Sequence, residues 1–439
     1  MPYTHRRKSS IEIVPALRRV TPRGESIDLE KIEPCVCVVG VGFVGESLLR
    51  EFGHVFKSIG FDISQKRVDE LKPAFKGLPN VTLTADQEQL GRATHFLISV
   101  PTLLKEDRTV NLSHLISAVG MVLNYARPGA AIVLESSVCV GTTRQLFDAY
   151  KDTYHCGMSP ERVDPGRVVP TAKAIPKLVS GLTPKALSLI QAVYGQVFDQ
   201  VVPVSSPETA EMTKLFENCY RMINIAYVNE MADAARSHGV DPDEMIRAAS
   251  SKPYGYTPFT PGLGVGGHCI PVNPFYLFAN NKNLPVLEKA TAQMWARPGS
   301  KARRFHRRTS SNSASNINSN STSSASASTS ANHHHRHAAA PPRILVVGLG
   351  FKPGQSVLSC SPGVAFAERL RKLGCSRLAF YDPLVQSDAV AWMEKLADEA
   401  WSPRYLEENF DAVAVCMRQE GVDFGVLDKL QRVTVQEFK

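Results

Sequence analysis

The 439-residue chain contains no apolar run near the roughly 18 to 20 residues that a membrane-spanning helix requires. Its first residues also lack the apolar core of a secretory signal, so the expectation is a cytoplasmic chain with no membrane partner. The nine cysteines are odd in number and include no Cys-x-x-Cys pair. Most sit in apolar, strand-like runs, the usage of a reducing compartment, which argues against a disulfide framework and against a metal site. Acidic residues are in deficit, 42 against 50 Lys and Arg, for a net charge of +8. That balance permits nucleic-acid binding, but the excess gathers in HRRKSS and KARRFHRR, which read as polar tails, so no nucleic-acid partner is expected.

With 43% hydrophobic residues, a chain of this length can bury two or three cores. From Pro34, CVCVVGVGFVGESLLREF reads as an apolar strand, a glycine turn and an amphipathic helix. Further strands are expected in HVFKSIGFDIS, THFLISVPT and AAIVLESSV, with helices between them, the pattern of a doubly wound parallel sheet. Apolar residues three and four apart in PETAEMTKLFENCYRMINIAYVNEMADAARSHG predict a long helix that stops at Gly239. RILVVGLGFKPG opens a second strand-turn-helix unit, continued by strands in CSRLAFYDPLV and FDAVAVCMRQ. The expected plan is two Rossmann-like α/β domains joined by an all-helical central domain. Its divisions are a polar tail at 1–33, an α/β domain at 34–206, a helical domain at 207–298, an insert at 299–342 and a smaller α/β domain at 343–439. The Ser/Asn-rich insert is expected to be disordered, and its HHHRH tract to be low-complexity sequence and not a metal site.

Gly40, Gly42 and Gly45 form Gly-x-Gly-x-x-Gly at a strand-to-helix junction, which would turn backbone N–H groups toward a pyrophosphate. Asp62 ends the next strand about 20 residues further on, where a carboxylate accepts from a ribose diol. Together these point to a dinucleotide, NAD before NADP, although Lys66 and Arg67 nearby keep the phosphorylated cofactor open. The plainer reading is an ordinary tight turn and a solvated strand end. Lys214 and Asn218 leave one face of the long helix, either as a solvated face or as functional groups on a buried element. Glu161, in MSPERVDPGR, reads as a turn carboxylate or a site residue. Cys269 sits in PGLGVGGHCIPVNP. Its glycines allow close backbone approach to a ligand and leave the thiol without bulky neighbours, which favours a nucleophile over a buried apolar thiol.

VGVGFVG with GFDIS, SVPT, ESSVCVGTT, SPERVDPGR, the EMTKLFENCYRMINIAYVNEMA helix, GVGGHCIPVNP, and GLGFKPG with SPG together resemble the UDP-glucose/GDP-mannose dehydrogenase family. The resemblance runs from about Cys35 to the C-terminus, outside the insert. It implies oxidation of a nucleotide sugar's C6 alcohol to a carboxylate with NAD, in a homodimer built on the central helices. On this resemblance Cys269 is the nucleophile that forms a thiohemiacetal and then a thioester. Lys214 and Asn218 would stabilise oxyanions, and Glu161 would handle protons or the hydrolytic water. Val44, Arg67 and Ser137 would join Gly40, Gly42, Gly45 and Asp62 around the cofactor, and Phe259, Gly266 and Lys352 would contact the sugar nucleotide.

Some positions depart from the family pattern. Asn273 replaces an Asp four residues after the cysteine, Ser137 replaces a Thr, and Val357 and Ser359 stand where Asp and Arg are common. An active four-electron dehydrogenase and a weakened relative that binds NAD or a sugar nucleotide both fit. A single-step hydroxyacid dehydrogenase shares the fold plan but leaves Cys269 without a task.

Overall fold

The computed structural model describes residues 23–164, 166–167, 169–319 and 341–438. The chain divides into two compact units, one formed by the chain through Cys219 with Val272–Leu284, the other by Tyr220–Pro271 with the chain from Pro285 onward. Among the described residues no helix is long and apolar enough to cross a membrane.

Among the described residues, the first unit contains ten strands: β1 Cys35–Val39, β2 Lys57–Phe61, β3 Val81–Thr84, β4 His95–Ile98, β5 Leu103–Leu104, β6 Val110–Asn111, β7 Ala131–Leu134, β8 His155–Met158, β9 Lys177–Gly181 and β10 Val201–Pro203. Eight of them form one sheet in the order β10-β9-β8-β7-β4-β1-β2-β3, while β5 and β6 pair separately. Every neighbouring pair in the large sheet is parallel except β8–β9. Successive residues feed opposite faces: Cys37, Val39, Phe96 and Ile98 enter one apolar cluster, Val36, Val38 and Leu97 another. Helices α1 Phe43–Gly53, α2 Gln65–Phe75, α3 Ser113–Tyr125, α4 Thr142–Phe147 and α5 Pro184–Tyr194 connect the strands. This is the expected Rossmann plan, and it brings the ends of β1, β2, β7 and β8 to one edge of the sheet. Because β9 runs the other way, its first residue, Lys177, reaches that same edge.

Four helices follow: α6 Pro207–Ser237, α7 Pro242–Ser250, α8 Asn273–Asn280 and α9 Pro285–Ser319. Gly239 has φ +73°, the left-handed conformation expected just past the end of α6. The second unit's sheet, in the order β13-β12-β11-β14-β15, is parallel throughout. Its strands are β11 Ile344–Val347, β12 Leu378–Tyr381, β13 Glu394–Lys395, β14 Ala412–Val415 and β15 Thr434–Glu437, with α10 Pro362–Lys372 against them.

One expected boundary is corrected. The insert was expected to begin at 299, yet α9 continues to Ser319, and Ala302 and Phe305 are fully buried in the core that also holds Phe366 and Phe380. KARRFHRR is therefore not a tail. Ala302, Phe305 and the buried Thr309 lie three and four residues apart on one helix face, while Arg303, Arg304, Arg307 and Arg308 stay exposed. The remainder of the expected insert through residue 340, including HHHRH, lies outside the described residues, as does nearly all of the 1–33 tail.

Candidate active site

The glycine turn after β1 has the shape the cofactor reading requires. Gly40 has φ +88°, which strains any other L residue. A Cβ on Gly45 would lie 1.9 Å from the Gly40 carbonyl oxygen, so α1 can pack this close to β1 only through glycine. A Cβ on Gly42 would meet nothing within 4 Å, which leaves that side of the turn open for a ligand. Asp62 accepts from the Val41 N–H at 3.1 Å and from the Ser64 N–H at 2.9 Å. Arg67 is turned back onto the turn, donating to the Val41 carbonyl at 2.9 Å and to Glu46 at 2.9 Å. Committed to these partners, it is not presented for a ribose phosphate, and the residues present fit NAD. Ser137 is half-buried, its carbonyl accepting from Thr102 at 2.8 Å, and Val44 lies half-buried on the first turn of α1.

At the same sheet edge lies a buried ion cluster. Lys177 donates to Glu135 and to Glu161, both at 2.7 Å. The second Glu161 oxygen accepts from the Arg162 N–H at 2.6 Å and the Val163 N–H at 2.9 Å. Burial alone would push the Glu161 carboxyl up, but the Lys177 ammonium and the two backbone N–H groups outweigh it and hold the carboxyl below the usual range. Burial dominates at Glu135 and pushes it up to about 7 despite Lys177. Glu161 is thus an anion held by three donors, Lys177 and the N–H groups of Arg162 and Val163.

Arg162 carries this turn to helix α6. It binds Glu217 through two nitrogens, at 2.5 and 3.3 Å, and the Pro176 carbonyl at 2.7 Å. Glu217 neighbours Asn218, which is fully buried and donates its amide to the side-chain oxygen of Asn273, also buried, on the first turn of α8. Lys214 is buried one turn earlier on α6. The solvated-face reading of Lys214 and Asn218 therefore fails. A further tie comes from Glu211, which accepts from the Gly141 N–H at 2.5 Å and the Thr143 N–H at 2.8 Å, holding the start of α4 against α6.

Cys269 belongs to the second unit and is half-buried. The two glycines nearest it, Gly266 and Gly267, do not face open space. A Cβ on Gly266 would come within 2.6 Å of the Phe351 Cβ, and one on Gly267, whose φ is +90°, within 2.9 Å of the Phe351 ring. The Gly267 N–H donates to the Ser359 carbonyl at 2.8 Å. These glycines let the loop approach the protein's own 351–362 segment. The start of the loop is clamped at Gly262, whose N–H donates to Asn229 at 2.9 Å and whose carbonyl accepts from Arg297 at 2.9 Å. Arg297 in turn binds Asp233 at 2.6 Å. Phe259 meets Tyr220 edge-on at 6.1 Å, and Lys352 is half-buried beside Phe351.

Residues 35–198 match the NAD-binding domain of the UDP-glucose/GDP-mannose dehydrogenase family, and residues 208–295 match its central domain, together more than half of the chain. The chain belongs to this family. UDP-N-acetyl-D-glucosamine 6-dehydrogenase of Pseudomonas aeruginosa is 33% identical over 263 residues, 55% of this chain and 62% of that protein. Protein CapL of Staphylococcus aureus is 36% identical over 55% of this chain and 61% of its own length. The chain thus spans less than two thirds of these two relatives. UDP-N-acetyl-D-mannosamine dehydrogenase of Pyrococcus horikoshii is 27% identical across 88% of this chain and 93% of its own. In fold, the chain is similar to the UDP-D-ManNAc dehydrogenase structure from Pyrococcus horikoshii, with TM-score 0.76, 23% identity and coverage of 92% and 95%.

Within this dehydrogenase family member, the first unit brings Asn218 directly to Asn273 and links Glu161 to α6 through Arg162 and Glu217. Sequence reasoning missed Glu135, Lys177, Glu211, Arg162 and Arg297. The signal for Glu135 was available in ESSVCVGTT, where a carboxylate directly follows an apolar strand.

Proposed function

We propose that the chain is an NAD-dependent nucleotide sugar 6-dehydrogenase that oxidises a C6 alcohol to a carboxylate in two steps. The observation that carries this reading is the buried set of Glu161, Lys214, Asn218 and Asn273 in the unit whose glycine turn fits NAD. NAD, when bound at Gly40, Gly42, Gly45 and Asp62, supplies the hydride acceptor. The Cys269 thiolate adds to the aldehyde carbon to form a thiohemiacetal, oxidation of which leaves a thioester, and water cleaves that bond to release the acid and the thiol. The Lys214 ammonium and the Asn218 amide donate to the negative oxygen at each tetrahedral stage. Asn273 orients the Asn218 amide as an Asp would but contributes no charge and accepts no proton from water. The names of the relatives make UDP-N-acetylhexosamines the first substrates to try.

The working form is a homodimer in this proposal. Met212, Phe216, Tyr220, Tyr227 and Met231 are exposed at spacings of four and seven along α6, an apolar stripe suited to a second copy of the chain. A second reading, a relative that binds NAD or a sugar nucleotide without turnover, is favoured by Val357 and Ser359 at positions where the family pattern carries Asp and Arg.

Mixing the protein with NAD and each of a panel of UDP- and GDP-sugars, quenching in acid and measuring intact mass tests the proposal. A covalent adduct is expected on Cys269, absent in Cys269→Ala and reduced in Asn273→Asp, because restoring a carboxylate speeds hydrolysis by up to about 10²-fold. NAD binding with neither adduct nor NADH from any sugar nucleotide would instead support the second reading.

A further inference from the structure

Lys177 has no part in the chemistry assigned to Cys269, Lys214 and Asn218, yet among the described residues it is the most enclosed cation of the first unit, 2% exposed. Glu135 on one side is 1% exposed and Glu161 on the other 9%. Desolvating an ammonium and two carboxylates is costly, and an apolar replacement of similar volume is often no less stable. The cluster is also held from behind: the Tyr194 hydroxyl donates to the second oxygen of Glu135, and the Phe198 ring centre lies 5.5 Å from the Lys177 ammonium. Glu135 is therefore fixed, and through it Lys177.

The consequence falls on Glu161. A carboxylate offers about four acceptor positions. Among the described residues, three are filled, by Lys177, the Arg162 N–H and the Val163 N–H. One remains. We propose that Lys177 is a positioning residue, anchored by Glu135, that locks Glu161 as a permanent carboxylate whose single remaining acceptor position orients a water or a sugar hydroxyl. This rests on the reading of Glu161 as a site residue of the dehydrogenase. The charged and titratable groups around Glu161 are Lys177 from β9, Glu135 at the end of β7, Tyr194 from α5, and the neighbouring Arg162 with its partner Glu217 from α6. Lys177 is the cation that bonds directly to the Glu161 carboxylate from another strand. Its removal raises the proton affinity of Glu161 and frees the carboxylate to rotate.

The test uses full-length protein labelled with ¹³C at glutamate carboxyls, with Glu161 identified by difference against Glu161→Gln. Lys177→Met alone buries two uncompensated carboxylates and puts folding at risk, so the decisive variant is Lys177→Met combined with Glu135→Gln, which removes one charge of each sign. In the wild type, Glu161 is expected to show no titration between about pH 5 and 8; in the double variant its midpoint enters that window, and Lys177→Arg restores wild-type behaviour. In turnover, the double variant should lose about tenfold in kcat with little change in KM for NAD, and the acidic limb of its kcat profile should move to higher pH. An unchanged Glu161 titration in the double variant overturns the proposal, as does a wild-type kcat profile. A wild-type protein inactive on every sugar nucleotide removes the dehydrogenase reading instead, while the titration still decides whether Lys177 controls Glu161.

Discussion

The molecule builds the same strand-turn-helix unit twice and leaves only one of the turns open. In the first, a Cβ on Gly42 meets nothing within 4 Å, and Asp62 is half-exposed while it accepts from the Val41 N–H. In the second, a Cβ on Gly350 would lie 2.2 Å from the Gln355 carbonyl oxygen. There Asp382, fully buried, accepts from the Leu349 and Gly350 N–H groups at 2.9 and 3.0 Å, and Gln419 donates to it at 3.3 Å. The physical cause is the segment between turn and helix. In the first unit α1 begins directly after Gly42, whereas in the second residues 351–361 intervene and fold over the turn before α10 begins. Amides that could hold a phosphate are occupied by the chain itself. The fold is shared, and the ligand site depends on what the connecting segment does.

The contrast can be broken experimentally, and the largest effect is expected at Gly45. Gly45→Val would place carbon atoms within 1.9 Å of the Gly40 carbonyl oxygen, forcing α1 off β1. Urea denaturation should register a loss of about 3 kcal/mol or more, with NAD binding lost as well. A comparable effect comes from pH. Burial pushes the Glu211 carboxyl from near 4.5 up to about 7, against the donors at Thr143 and Gly141. The folded state therefore holds a proton that the unfolded state releases between these values. Stability is highest below about pH 4.5 from this group alone and falls as pH rises to about 7, by on the order of 3 kcal/mol. Glu211→Gln should flatten that part of the stability profile; an unchanged slope would show that another group sets it. A subtler pair separates the two turns. Gly42→Ala should leave the unfolding midpoint nearly unchanged and weaken NAD at least about tenfold, by blocking close approach. Gly350→Ala should do the reverse, costing about 1–3 kcal/mol of stability with NAD affinity intact. The smallest effect is expected from residues 321–340: halving this connection should change stability by only about 0.6 kcal/mol, whereas removing 300–310 takes Ala302 and Phe305 from the core and should unfold the second unit.

Much of this was legible in the sequence because it depends on local pattern. The spacing of Gly40, Gly42 and Gly45 after an apolar strand carries the turn, and apolar periodicity carries α6. The Lys177 cluster was not legible, since it depends on β9 running antiparallel to β8, a sheet-level choice that no residue near Lys177 announces. Arg297 and Asp233 meet only through the packing of α9 on α6. The beginning of the expected insert was misread because the Arg-rich composition of KARRFHRR masks the helical spacing of Ala302, Phe305 and Thr309. The sealing of the second turn was equally hidden: GLGFKPG resembles the first motif, and the difference lies in the segment that follows it.

In the proposed reaction hydride leaves the sugar twice, each time to NAD at the open first turn, with Cys269 holding the carbon between the two oxidations. Counting NADH formed against sugar nucleotide consumed, with the acid product measured in the same sample, tests it most directly. Two NADH per sugar are expected from the wild type, and no acid from Cys269→Ala. One NADH per sugar with an aldehyde or ketone as the final product, or acid formed by Cys269→Ala at the wild-type rate, would contradict it.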